Sequence, residues 1–326
     1  MINQVQITNY KSILDATVQL SPFTLLIGAN GTGKSNFLDF LSRISLFIDE
    51  NHTNWKQHFI GTSHFNQPDE PQTFTFISKK KGTIFKIMSS DFEQSESGKE
   101  PELTSSPAML ERFKIEQGWM NLNVALFSID PKMAGVTEPL TDNPIIQSNG
   151  AGTVQVLDTL KTGEREDLFE LVEEKLTTFI DEIEKLNFIS TAQGKYLQVK
   201  IRDIDGFIAV NQLSEGMQLT LILLSILYQE DRPSIICIED IDKALEPRLY
   251  GKIIELCFEL TRRKSKVQII ATSHNPYILK HFKNHKDAVL IVEKNNGNTC
   301  FTTLTEHIKD LGDDEDLLSS LKYYPK

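Results

Sequence analysis

Apolar positions recur along the first ninety residues with two different periods. "INQVQITNY" places Ile2, Val5 and Ile7 in near alternation with polar residues, a pattern that predicts a half-buried strand. "ATVQL" reads as a second strand, and "FTLLI" (Phe23–Ile27) is an unbroken apolar run, the mark of a strand covered on both faces. Beyond "GANGTGKS" the period changes, and Phe37, Leu38, Leu41, Ile44 and Phe47 recur at helical spacing. "TFTFISKKKGTIFKI" alternates on both sides of a Lys-Gly turn, which predicts a hairpin.

From about Asp91 to Gly152 the pattern loosens into polar, Pro/Gly-punctuated sequence, with "NVALFSIDP" as a strand-like island. Residues Glu164 to Leu186 predict an amphipathic helix through Leu168, Leu171, Val172, Leu176, Phe179, Ile180 and Ile183. "LTLILLSILY" after Gly216 predicts a helix buried nearly all round. Strand (Ile235–Ile238), helix (Arg248–Arg262), strand (Val267–Thr272), short helix and strand (Ala288–Glu293) follow in turn, an alternation that builds a mostly parallel sheet flanked by helices. No repeat or sustained heptad is present. The expected divisions are an N-terminal lobe over 1–91, a partly helical insertion over 92–185, a C-terminal lobe over 186–300 and an acidic tail over 301–326.

Composition narrows the class. With 40% hydrophobic and 24% charged residues the chain falls among soluble globular proteins. No run reaches the roughly 20 apolar residues of a membrane span, and the N-terminus carries no basic and apolar leader, so a cytoplasmic protein is expected. Cys237, Cys257 and Cys300 are widely spaced and match no metal or redox motif, so they read as reduced packing residues. A net charge of −11 argues against a surface that coats nucleic acid. The basic runs at Lys79–Gly82 and Arg262–Lys266 read as a solvated turn and a helix C-terminus.

The chemistry concentrates in ordered motifs. "GANGTGKS", Gly28–Ser35, is a complete G-x4-G-K-S loop between a predicted strand and a predicted helix. Its glycines let backbone N–H groups turn around phosphates, and the helix behind directs its positive end at them. Lys34 suits the β- and γ-phosphates and Ser35 a Mg²⁺ ion. "IICIED" ends a buried strand in two adjacent acids. Glu239 suits the metal held by Ser35, and Asp240 the attacking water; the bland reading is a strand end whose acids cap the next helix. "LSEGM" (Leu213–Met217) opens the buried helix, "KALE" spans Lys243–Glu246, and "ATSHNP" ends a strand at His274. A Ser before a helix is commonplace, so it is the order of the five motifs that carries weight.

Along the chain the order is phosphate loop, "LSEGM", "IICIED", "KALE" and "ATSHNP". In that order they resemble an ABC-class ATPase of the RecF/SMC-like kind, closest to the standalone AAA-type ATPases related to overcoming-lysogenization-defect proteins. The likeness runs from about Met1 to Glu293 and includes "ITNYKSI" and "TSHNPYIL". It implies an α/β P-loop NTPase fold: an ABC-type ATPase head with a mixed sheet, flanking helices and a partly helical insertion. It assigns nucleotide contacts to Gly28, Asn30, Gly31, Gly33, Lys34, Ser35 and Asn36, with Lys11 near the α-phosphate. By the same resemblance Ser35 and Glu239 are expected to hold the metal, with Asp240 as the base and His274 as the switch histidine. Ser214 and Gly216 match the signature motif and Glu246 the D-loop, which act on the nucleotide of a second subunit in a head-to-tail homodimer. ATP and Mg²⁺ are the implied cofactors.

The sequence departs from the family twice. The second acid is Asp240 where the family commonly has Glu, and the shorter side chain implies slow hydrolysis. The strand "ALFSIDP" lies where a glutamine-bearing loop belongs, yet offers only Ser128 and Asp130.

Three readings compete at this stage. One is a dimeric ATP-hydrolysing switch, or a higher oligomer, for a separate effector such as a nuclease, with phage defence as its setting. Another is a DNA-engaging repair ATPase, which the net charge does not support. The last is a nucleotide-binding scaffold without hydrolysis. A membrane partner is not expected.

Overall fold

The structure is a computed structural model that describes residues 1–48, 73–78, 83–88, 123–136, 143–192, 194–262 and 267–311. The Lys79–Gly82 turn, most of the basic run after Arg262, residues 91–122 and the acidic stretch from 312 lie outside the described residues. Two compact units divide the chain. The first comprises 1–125, 234–237 and 257–326; the second comprises 126–233 and 238–256.

The first unit opens with β1 (Gln4–Tyr10) and β2 (Ile13–Gln19), an antiparallel pair in which Val5 faces Val18. A hairpin of β4 (Thr73–Ser78) and β5 (Thr83–Met88) adds to the other side of β1, giving an antiparallel sheet in the order β2-β1-β4-β5. β3 (Phe23–Ile27) is buried at every position, as its unbroken apolar run predicts. It pairs in parallel with β11 (Gln268–Ser273) and with β12 (Val289–Asn295). β13 (Asn298–Thr303) returns antiparallel to β12 through a two-residue turn at Asn296 and Gly297, both with positive φ. α1 (Lys34–Ile48) follows β3, and α6 (Leu304–Leu311) closes the described chain. Phe23, Phe258 and Phe282 form an aromatic cluster with centroids 4.9 to 5.7 Å apart. Buried Gln268 accepts from the Ile2 amide at 2.8 Å and donates to the Ile2 carbonyl at 2.7 Å, so neither polar end of that side chain is left without a partner.

The six-stranded sheet runs β13-β12-β3-β11-β10-β6, where β6 is Val124–Phe127 and β10 is Ile235–Ile238. The boundary between the units falls within β6 and β10, and within the helix Pro247–Arg262. A mixed sheet, parallel about β3 and antiparallel between β12 and β13, with flanking helices is the expected fold class.

The second unit carries α2 (Thr153–Thr162), α3 (Glu166–Phe179) and α4 (Glu215–Tyr228), with the N-terminal part of α5 (Pro247–Arg262). It also carries an antiparallel sheet of β7 (Ile183–Thr191), β8 (Gly194–Ile201) and β9 (Phe207–Ala209). α4 is buried at every position from Gln218 to Tyr228. Pro247 opens α5, where its missing N–H costs nothing. The helix expected over 164–186 ends at Phe179, because Ile183 onward pairs as β7. Cys237 and Cys257 are fully buried free thiols, and burial pushes Cys257 up to about 12, in line with a packing role.

Candidate functional site

In the first unit the phosphate-loop sequence joins the C-terminal end of β3 to α1. Gly28 is buried, Asn30 is exposed, and Gly31 and Gly33 have φ of 78° and 108°. A Cβ on Gly33 would fall 2.1 Å from Thr299 Oγ1 and 2.8 Å from Ser12 Oγ, so both its φ and its surroundings demand glycine. The amide of Phe37 donates to the Gly33 carbonyl at 3.1 Å and so begins the helical ladder of α1. Lys34 is 7% exposed, and its ammonium donates to the carbonyls of Gly28 at 2.7 Å and Ala29 at 2.9 Å. Ser35 is exposed at the head of the helix. A turning backbone, a buried ammonium and a helix N-terminus suit a polyphosphate, and an exposed hydroxyl beside them suits a hard divalent cation.

The residues before the loop pack onto the helix behind it. Tyr10 donates to Asp39 Oδ2 at 2.6 Å, Arg43 Nε lies 3.0 Å from the same oxygen, and Lys11 Nζ is its third partner. Burial pushes the Asp39 carboxyl up, but hydrogen bonds from Arg43, Lys11 and Tyr10 outweigh it and hold the group below the usual range. The Tyr10 hydroxyl is driven well above its ordinary value by burial and by Asp39. Lys11 has φ 48°, and its ammonium is aimed at Asp39 on α1. Asn36 donates its amide to Ser12 Oγ at 2.7 Å. His274 is exposed just beyond the end of β11.

The second unit holds the remaining motifs. Glu239 follows β10 directly and its amide donates to the Phe127 carbonyl at 2.8 Å. Asp240 is half-buried with φ 45°, a left-handed backbone that Asp tolerates better than most residues. The chain then turns, with the Lys243 amide on the Asp240 carbonyl at 2.8 Å and Ala244 at φ 58°. Ser214 caps α4, its Oγ accepting from the Met217 amide at 3.3 Å. Gly216 in the first turn of α4 is buried, and a Cβ there would lie 2.7 Å from the Ala244 carbonyl oxygen. "LSEGM" and "KALE" are therefore in direct backbone contact. Exposed Glu246 pairs with Arg248 at 2.7 Å, and Arg248 also reaches Glu182 at 3.2 Å.

One feature escaped the sequence reading. Ser128 and Asp130 donate their amides to the carbonyls of Ser148 at 2.8 Å and Asn149 at 2.9 Å. A tight turn containing Gln147 thus lies beside the end of β6, which itself meets Glu239 through Phe127. The available signal was "QSNGAG", a turn-forming run with a glutamine at its start.

No group of three or more His, Cys, Asp or Glu side chains that could hold a metal occurs among the described residues. None of their helices is long and apolar enough to cross a membrane.

Comparison with known proteins agrees with this geometry at the level of class. The sequence model for the AAA ATPase domain matches residues 1–101. A second, described as "AAA domain, putative AbiEii toxin, Type IV TA system", matches residues 158–280. Among solved structures the chain is similar to an SMC head bound to the C-winged helix domain of ScpA, at 14% identity and a TM-score of 0.55. That alignment covers 93% of this chain and 97% of that one. It is also similar to an SMC head domain with an extended coiled coil, bound to the C-terminal domain of ScpA derived from Pyrococcus furiosus. Identity there is 13% and the TM-score 0.51, over 95% of this chain and 98% of that one. No curated protein matches the sequence. The fold is that of the SMC head domains, and the two matched sequence models are described as AAA-type ATPase domains.

Proposed function

We propose that the protein binds ATP with Mg²⁺ at Gly28–Asn36, hydrolyses it slowly, and uses the nucleotide to control a homodimer that switches a separate effector. The observation that carries this reading is the cradle itself: a loop turned by Gly31 and Gly33, with the buried Lys34 ammonium at its base and exposed Ser35 at its rim. Mg²⁺, when bound, neutralises charge on the β- and γ-phosphates, and Ser35 and Glu239 are the residues proposed to hold it. Asp240 orients and deprotonates the water. Gln147, on the turn beside Ser128, supplies the polar contact that the strand lacks. His274 senses the γ-phosphate.

Ser214, Gly216 and Glu246 act in this proposal on the nucleotide of a second copy. The close approach of Gly216 to the Ala244 carbonyl supports it, because it sets the "LSEGM" and "KALE" turns side by side. ATP favours the closed dimer by binding it more tightly than the open form, and hydrolysis removes that preference. A nuclease in antiviral defence is the effector setting we favour. The toxin-system description attached to residues 158–280 points the same way, and the solved SMC heads are themselves bound to a separate protein, ScpA.

ATP turnover by purified protein tests the reading, beside Lys34→Ala and Asp240→Asn, with mass followed by light scattering. Turnover lost in both variants, with a dimer accumulating when Asp240→Asn binds ATP, is the expected result. Binding without turnover in the parent protein refutes the hydrolase and leaves the scaffold. Salt-sensitive DNA binding that stimulates turnover would instead favour a repair ATPase.

A further inference from the structure

We infer that Ser12 and Thr299 are positioning residues for the phosphate loop, acting through a directional chain of hydroxyl hydrogen bonds; the inference rests on the ATP-binding reading above. Both side chains are almost fully buried, Ser12 at 3% and Thr299 at 2% exposure. Thr299 Oγ1 donates to the Thr32 carbonyl at 2.7 Å. A hydroxyl has one proton, so the 2.7 Å contact between Ser12 Oγ and Thr299 Oγ1 must be donated by Ser12. Ser12 Oγ in turn accepts from Asn36 Nδ2 at 2.7 Å. The chain therefore runs in one direction, from Asn36 through Ser12 and Thr299 to the Thr32 carbonyl. The Thr299 amide also donates to the Ser12 carbonyl at 2.7 Å, which fixes β13 against the turn before β2.

The end point of the chain gives it a role. Thr32 lies between Gly31 and Gly33, both with positive φ. Peptide units flanked by glycine reorient readily, because glycine crosses between positive and negative φ at little cost. In a trans peptide the C=O of Thr32 and the N–H of Gly33 point in opposite directions. Holding that carbonyl on Thr299 therefore aims the Gly33 N–H at the opposite, loop side of the peptide, where a phosphate oxygen is to be bound. Thr299 also fills the space beside the missing Gly33 side chain. Losing the hydroxyl frees the peptide to turn and removes one aimed donor from the anion.

The test uses the full chain with Mg-ATP and follows affinity by isothermal titration calorimetry and turnover by phosphate release. Thr299→Val removes the hydroxyl at nearly constant shape and is expected to weaken ATP binding and raise KM by roughly tenfold, about one hydrogen bond to a charged group. Turnover at saturating ATP is expected to stay within about twofold, because Thr299 touches the loop and not the water. Thr299→Ser keeps the hydroxyl and is expected to restore parental KM. Ser12→Ala is expected to act in the same direction, and the double variant to be no worse than Thr299→Val, as for members of one chain. Should Thr299→Val not fold, Ser12→Ala carries the test with the same readout. Parental affinity in the valine variant, or failure of serine to rescue, overturns the inference alone. A parent protein that binds no ATP overturns the ATP-binding reading and this inference with it.

Discussion

Gly216→Ala sets two effects against each other, and the structure decides between them. Gly216 lies in the first turn of α4, where alanine normally gains about 0.5–1 kcal/mol of helix propensity over glycine. The added methyl, however, would stand 2.7 Å from the Ala244 carbonyl oxygen. Backbone cannot rotate out of the way as a side chain can, so relief requires a shift of roughly 0.5 Å or more to reach ordinary contact. Overpacking of this kind costs about 1–3 kcal/mol, so after the propensity gain a net loss of up to about 2.5 kcal/mol is expected. The transition should fall by a few degrees, since each kcal/mol moves a unit of this size by about 2–4 °C. Ala244 already has a left-handed backbone, and the Lys243 amide just before it is held by the Asp240 carbonyl. Displacing this turn should therefore move Asp240 and reduce ATP turnover by about tenfold or more. Gly206→Ala is the control: φ is 87° but nothing lies within 4 Å of the new Cβ, so it costs only left-handed strain, about 1–2 kcal/mol, and should leave turnover intact. Thermal melts with steady-state phosphate release read both. A Gly216→Ala protein that melts higher than the parent at full turnover would refute the reasoning.

Two further outcomes are expected. Gln147→Ala should retain ATP binding by calorimetry while turnover falls by about tenfold; unchanged turnover would remove the Gln147 turn from the site. Asp39 is held low in the folded chain, so its contribution is complete above the unfolded carboxylate value near 3.9 and is lost as pH falls through the lower folded value. Melting temperature against pH should then be flatter below about pH 4 for Asp39→Asn than for the parent, and lower at pH 7. Parallel curves would show that the cluster of Tyr10, Lys11 and Arg43 does not depend on the charge.

Much of the fold was legible because its signals are local. Phe23–Ile27 and Ile235–Ile238 are unbroken apolar runs ending at loop residues, and both are fully buried strands. α5 announces itself by Pro247 and its apolar stripe. β7 was misread for a physical reason. Leu176, Phe179, Ile180 and Ile183 continue the phase of α3, and neither Gly nor Pro marks the break at Ile180–Glu182. α2 did carry a signal, with Val154, Leu157 and Leu160 recurring on one buried side, and Asn296–Gly297 is a strong hairpin dipeptide. The motifs of the candidate site could be read one by one. What no local pattern contains is a contact such as Ser12 to Thr299, or Gly216 to Ala244, which depends on tertiary structure bringing distant segments together.

The pairing of β3 has a consequence for how the chain reaches this state. Phe23 is aligned with Ile269, and Leu25 with both Ala271 and Val289, so the strand that leads into Gly28–Ser35 acquires its neighbours only after more than two hundred further residues have been synthesised. Contacts within 126–233 are available long before that. Long-range parallel pairing is intrinsically slow because loop closure precedes any reward. During synthesis "FTLLI" therefore waits as an unpaired apolar segment until residues 269–291 have emerged, and the glycine-rich loop that follows it settles only after that pairing.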